Sequence, residues 1–162
     1  MQIELTAYLS VMIASIGITG AVLYYVYALR NQALMRKTDL IMRLYSMFIA
    51  KDIAEADAKV LALDVQDYHE FKEKYGPYLG EEPTAMAVRT IAAFFEGLGI
   101  LFKRNLIQID IVYDLFSIEF RWRRLGSILR GAREELGEPE IGKHFELLYD
   151  AEKEFGKSRA RK

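Results

Sequence analysis

The feature that most constrains this chain is an uncharged run of twenty-five residues from Leu5 to Leu29, bounded by Glu4 and Arg30. As an α-helix, this run would rise about 37 Å, which exceeds the roughly 30 Å of hydrocarbon in a bilayer. It is the one segment of the sequence long enough to cross a membrane. We therefore predict that residues 1–30 form a single-pass transmembrane anchor in contact with membrane lipid.

The charges on either side of the run predict its orientation, because Lys and Arg next to a span are retained on the cytoplasmic side. Glu4 is the only charged side chain before the run. Four basic residues follow it closely: Arg30, Arg36, Lys37 and Arg43. We therefore expect the N-terminus outside the cell membrane and the C-terminal domain in the cytoplasm.

A cleaved secretory signal is the competing interpretation of the same run. Such a signal has a basic start and an apolar core of about 7 to 15 residues. Here the start is acidic and the apolar run is longer, although Val26 and Ala28 are small enough for a cleavage site. These features favour a retained anchor.

One face of the predicted span carries small side chains, with Ala14, Gly17 and Ala21 at its centre. Small residues let transmembrane helices approach closely and associate. The face therefore predicts packing against a partner helix or a second copy. Small residues are also common in transmembrane helices generally, and that alternative stays open.

Composition excludes several classes of function for the rest of the chain. The 162 residues carry a formal net charge of −1, so nucleic acid is an unlikely partner. The absence of Cys excludes disulfides, thiolate metal sites and Cys nucleophiles. Only His69 and His144 could supply imidazole, and neither has the Glu-x-x-His spacing of di-iron bundles. We predict no catalytic, cofactor or metal site, and hence no enzyme.

Residues 31–156 are predicted to form one all-α domain, an antiparallel bundle of about five helices. Neither Gly nor Pro occurs between Gly20 and Gly76, so the anchor should continue directly into a cytoplasmic helix. The apolar segment that opens at Pro83 should be the central helix. A heptad pattern predicts one long helix from Ile111 to Leu136, ended by Gly137.

Local signals predict where the other helices begin. Asp52 and Asp110 are candidate N-terminal caps, and Pro139 suits the first turn of a last helix. Residues 106–109 could form a short strand, but a loop is the preferred interpretation. Residues 157–162 are expected to be a solvated basic tail.

Glu96 is the most informative charged residue of the predicted core, since Phe94, Phe95, Leu98 and Phe102 surround it in sequence. A shielded carboxylate needs a cation or hydrogen-bond donors. We predict a structural ion pair between Glu96 and Arg123, with Arg130 as second choice.

Three further arginines, Arg121, Arg124 and Arg133, form a possible patch for an anion or a partner, because guanidinium groups bind carboxylates and phosphates bidentately. The patch predicts an alternative function, in which the domain binds a lipid headgroup, a nucleotide or RNA. Pairing of these arginines inside the protein is the competing interpretation.

The order of features resembles a family of uncharacterised prokaryotic membrane proteins grouped as a domain of unknown function. The resemblance rests on the single apolar span, an FFE triplet, the segment NLIQIDIVYDLF, the FRWRR motif and the closing FELLYDAEKEF. It covers roughly Leu5 to Phe155 and implies a membrane-tethered helical domain without known active residues. We therefore expect a membrane-anchored cytoplasmic interaction or accessory module that binds a protein partner or forms a homo-oligomer. A subunit of a larger membrane complex would fit this description.

Overall fold

The computed structural model describes the backbone of residues 2–161 and the side chains of residues 12–161. Over these residues the chain is all-α, without a strand, as the sequence predicted. The helices are α1 (Gln2–Phe48), α2 (Lys51–Leu61), α3 (Tyr68–Tyr75), α4 (Pro83–Lys103), α5 (Ile109–Phe116), α6 (Ile118–Leu136) and α7 (Lys143–Ala160). Six helices thus follow α1 where about five were expected. The chain divides into two units, Met1–Ile41 and Met42–Lys162.

The first unit contains most of α1, an unbroken helix, as expected from the lack of Gly and Pro after Gly20. Between Met12 and Ile41 every side chain is exposed or partly exposed; residues 5–11 of the predicted span lie outside the described side chains. By length and composition, two helices could cross a membrane: Met12–Phe48, with none of its apolar window buried, and Pro83–Lys103, with 44% buried. The N-terminal helix is therefore a candidate span, and α4 is the core helix of the second unit.

The second unit is built around α4, against which α2 and α7 pack. The inner side of α4 is apolar and buried, and its members include Val88, Ile91, Ala92, Phe95 and Leu98. Phe95 stacks on Phe145 of α7 with ring centroids 4.8 Å apart, and Trp122 of α6 meets Phe145 edge-on at 4.9 Å. Each large side chain buried in this way stabilises the fold by about 1.5–3 kcal/mol. The expected central position of this helix is confirmed.

The close approach of α4 and α7 depends on Gly99. A Cβ atom at this position would overlap the backbone of His144, whereas a Cβ at the neighbouring Gly97 would meet no atom within 4 Å. Gly99 therefore sets how near the two helices can lie, and Gly97 belongs to the open side of α4.

The predicted long helix from Ile111 to Leu136 is wrong, because α5 and α6 are separated at Ser117. Ser117 has the left-handed φ of +47°, which interrupts the helix. At the break, the carbonyl oxygens of Phe116 and Ser117 accept hydrogen bonds from Nη1 of Arg121 at 2.6 and 3.3 Å. The heptad pattern therefore describes only α6, where Trp122, Leu125 and Leu129 are buried. In α5 the buried residues are Val112 and Phe116, and the heptad residue Leu115 is exposed.

The predicted helix ends were partly right. Gly137 ends α6 at φ +65°, and residues 106–108 form a loop rather than a strand. The predicted caps are wrong: the N-caps of α2 and α5 are Ala50 and Gln108, so Asp52 and Asp110 lie inside the first turns. Pro139 lies in a turn before α7, and α7 continues to Ala160, so most of the predicted tail is helical.

Candidate functional site

The most buried ion pair of the second unit joins Asp57 of α2 to Arg121 of α6. The guanidinium donates from Nε and Nη2 to the two carboxylate oxygens at 2.8 and 2.6 Å. Only 11% and 12% of the two side chains is exposed. The guanidinium carbon also lies 4.8 Å from the ring centroid of Phe48 and 5.8 Å from that of Phe95. This pair therefore ties α2 and α6 to the aromatic core.

Glu96 is partly shielded, as predicted, but it pairs with the N-terminus of α7 rather than with an arginine. Its oxygens accept from the backbone N–H groups of His144 and Phe145 at 3.0–3.1 Å, and Oε1 lies 2.6 Å from His144 Nδ1. The N-cap of α7, Gly142, has no side chain to cap the helix. Because the free N–H groups and the helix dipole supply positive charge, Glu96 needs no guanidinium.

The two arginines expected at Glu96 bind other carboxylates, so the predicted Glu96 pairs with Arg123 and Arg130 are wrong. Arg123 pairs with Glu119 one turn earlier on α6. Arg130 donates from Nη2 to Glu146 at 2.6 Å, and its guanidinium carbon lies 5.5 Å from the Trp122 ring centroid.

The three arginines of the predicted patch do not share an open surface. Arg121 is buried with Asp57, and Arg124 donates to the carbonyl oxygen of Leu63 at 3.0 Å. Arg133 donates from Nη1 to Glu146 at 2.6 Å, with 19% of its side chain exposed. Internal pairing with carboxylates therefore describes Arg121 and Arg133, whereas Arg124 is exposed and bonds to a backbone carbonyl.

Glu146 of α7 connects two of these arginines. Burial is the strongest influence on its pKa and raises it, but the hydrogen bonds and charges of Arg130 and Arg133 outweigh burial. The pKa of Glu146 therefore lies below its ordinary value, and the carboxylate stays ionised beside the two cations.

Glu152 of α7 caps the N-terminus of α6, as Glu96 of α4 caps the N-terminus of α7. Its carboxylate accepts from the backbone N–H groups of Ile118 and Glu119 at 2.9 and 2.5 Å, and the residue is 4% exposed. Burial raises the pKa of Glu152, and the two backbone hydrogen bonds oppose the rise. Sequence reasoning missed Glu152 because its partners lie more than thirty positions away.

A shallow cleft of about 340 Å³ opens beside Glu152. Its lining residues are Tyr113, Ser117, Glu119, Phe120, Arg123 and Glu152. The carboxylate is already held by two backbone donors, and the nearby Arg123 is paired. Among the residues that the structure describes, no group of three or more His, Cys, Asp or Glu side chains could hold a metal ion.

The residues predicted to pack the span lie on the exposed part of α1. Ala14, Gly17 and Ala21 are all exposed, and a Cβ added at Gly17 would meet no atom within 4 Å. The face that they form is thus free to meet another helix.

Comparison with known proteins gives a family but no named relative. No curated protein and no solved structure is significantly similar to the chain. Residues 11–151 match the family described as a domain of unknown function (DUF4760), a match that includes both units. The chain therefore belongs to the DUF4760 family.

Proposed function

We propose that this protein is a single-pass membrane protein whose N-terminal helix anchors a cytoplasmic helical domain that serves as an interaction or accessory module. The observation that carries the proposal is the long apolar stretch of α1 that begins at Met12. In its most apolar eighteen-residue segment, no residue is buried. A soluble protein rarely leaves so much contiguous apolar surface in water. A lipid bilayer would cover it.

The residues that flank the candidate span support an orientation in which the helical domain lies on the cytoplasmic side of a bacterial or archaeal cell membrane. Tyr24, Tyr25 and Tyr27 are exposed on α1 near its basic flank, where aromatic rings favour the headgroup region. The family match begins at residue 11, within the apolar segment. This beginning favours a segment that belongs to the mature domain over a cleaved signal.

The internal pairing of the arginines favours an interaction module over an anion-binding domain. Arg121, Arg130 and Arg133 are engaged by carboxylates, and binding of a phosphate would require breaking those contacts. On the last turns of α7, Lys157 and Arg159 are also paired, with Glu154 and Asp114. The positive charges of these five residues are therefore already balanced by carboxylates, which disfavours the binding of an added anion.

Single introduced cysteines test the anchor and its orientation, because the natural chain has none. Gln2→Cys and Ser158→Cys place one thiol on each side of the candidate span. In intact cells, a membrane-impermeant maleimide should label the first variant and reach the second only after lysis. Labelling of both positions in intact cells, or the reverse pattern, would contradict the proposed topology.

The role of the small face of α1 is a separate part of the proposal. If Ala14, Gly17 and Ala21 contact a helix in the membrane, Gly17→Ile should separate the two helices. Oligomer size in mild detergent should fall, while Ile16→Val, a change on the opposite side of the helix, should leave it unaltered. An unchanged size in both variants would mean that the face meets lipid.

A further inference from the structure

The outer face of α4 is exposed although α4 is the central helix of its unit. This outer face consists of Met86, Thr90, Ala93, Gly97 and Ile100, which recur at steps of 4, 3, 4 and 3. All five residues are exposed, with Met86 at 50% and Ile100 at 36%, and none is charged. The spacing places them along one side of the helix over about 21 Å.

Among the described residues of the second unit, no helix covers this face. The helices α2 and α7 pack against α4, and its buried residues lie on the inner side. Exposed faces of helices in water normally carry charged or polar side chains. An uncharged face of this length is typical of an interface.

The distribution of size along the outer face suits a crossing with a second helix. The small residues Ala93 and Gly97 lie at its middle, and the larger Met86 and Ile100 lie at its ends. Two crossing helices are nearest at the crossing point and separate on either side. Small residues fit the near point, and larger side chains fill the widening gap.

The charges at the two ends of the outer face favour an antiparallel orientation of the two paired helices. Glu81 and Glu82 precede the first turn of α4, whereas Arg104 follows its last turn and is exposed. In an antiparallel pair of identical helices centred on Ala93, Glu82 of one copy lies level with Arg104 of the other. A parallel pair would instead place like charges together.

We infer that the outer face of α4 binds the same face of a second copy of this chain, antiparallel and about a two-fold axis near Ala93. The pair is self-complementary, because each end matches the opposite end of the partner in both size and charge. This face would be the contact surface of the interaction module proposed above, so the pairing rests on that proposed function.

Disulfide trapping of the full-length protein tests the inference. At the two-fold axis Ala93 faces its own copy, where two Cβ atoms can come within the roughly 3.5–4.5 Å that a disulfide needs. Mild oxidation of Ala93→Cys, in isolated membranes and in mild detergent, should give a linked dimer. Ala58→Cys, an exposed alanine on α2, is the matched control and should remain monomeric.

A second substitution separates loss of pairing from loss of folding. Gly97→Leu fills the near point of the crossing, yet a Cβ there would meet nothing within 4 Å inside the chain. Added to Ala93→Cys, it should reduce the linked dimer at least about tenfold without changing the fluorescence of Trp122. Arg104→Glu should also reduce the dimer, and in an antiparallel pair Glu81→Arg in the same chain should restore it. Glu81 is next to Glu82 and is changed in its place, because the Glu82 carboxylate caps α4 by accepting from the backbone N–H groups of Thr84 and Ala85.

Other outcomes would overturn the inference. Equal cross-linking of Ala93→Cys and Ala58→Cys, or no effect of Gly97→Leu, would show that α4 does not pair in this way. Linkage of Ala93→Cys to a different protein, or protection of its thiol by lipid without linkage, would assign the face to another occupant. Because the detergent measurement needs no membrane topology, a failed anchor proposal would leave this test valid.

Discussion

Replacing Asp57 by alanine removes the carboxylate that pairs with Arg121 and leaves a guanidinium shielded among aromatic rings. Two charge-assisted hydrogen bonds are lost, at 2.8 and 2.6 Å in the native protein. Removing one partner of a buried ion pair costs about 3–5 kcal/mol. The carbonyl oxygen of Phe116, 2.6 Å from Nη1, still accepts from Arg121 and favours the lower end of that range. This loss is a large fraction of the free energy of unfolding, which is about 5–15 kcal/mol for a typical domain.

Urea unfolding of the full-length protein in mild detergent measures this loss through the single tryptophan, because Trp122 is buried against Phe145. At a slope of about 2 kcal/mol per molar, a loss of about 3 kcal/mol lowers the midpoint by about 1.5 M. Combining Asp57→Ala with Arg121→Met should cost less than the sum of the single changes, with a coupling free energy of about 2 kcal/mol.

The matched control is Arg123→Ala on the same helix. The Arg123 side chain is 70% exposed beside Glu119, and its loss should cost less than about 1 kcal/mol. Equal costs for Asp57→Ala and Arg123→Ala, or a coupling of zero between Asp57 and Arg121, would refute the reasoning that burial makes the first pair important.

Three further changes test the contacts of α7. Gly99→Ala should destabilise the domain strongly, because its Cβ would overlap the His144 backbone, whereas Gly97→Ala should be neutral or stabilising by up to about 1 kcal/mol; similar urea midpoints for the two would contradict this. Glu96→Ala should cost about 1–2 kcal/mol through loss of the α7 cap, and an unchanged midpoint would show that the cap is not needed. Because burial raises the pKa of Glu152, its contribution to stability is full below the ordinary glutamate value and falls as pH rises to the higher native value. Glu152→Gln should remove that fall, and an identical pH profile would contradict it.

Much of the fold follows from local pattern, and the sequence predicts it correctly. The lack of breakers after Gly20 predicts the uninterrupted α1, and the apolar periodicity after Pro83 predicts the central α4. Gly137 ends its helix because a left-handed residue there carries no steric cost for glycine. These features depend on residues that are neighbours in the chain.

The polar contacts could not be predicted in the same way, because their partners are brought together by packing. The apolar neighbours of Glu96 in sequence predict that it is shielded, but its partner at the start of α7 lies 48 positions away. The break at Ser117 depends on Glu152 and Arg121, which no heptad pattern reveals. Asp57 had a visible signal, since it lies next to Ala56 on the apolar side of α2 that Val60 continues.

The most direct test of the account is extraction of native membranes with alkaline carbonate, which removes peripheral proteins and leaves spanning proteins in the lipid. If the apolar part of α1 crosses the bilayer, the full-length chain should sediment with the membranes after this wash. Quantitative release of the chain into the supernatant would contradict the proposed anchor.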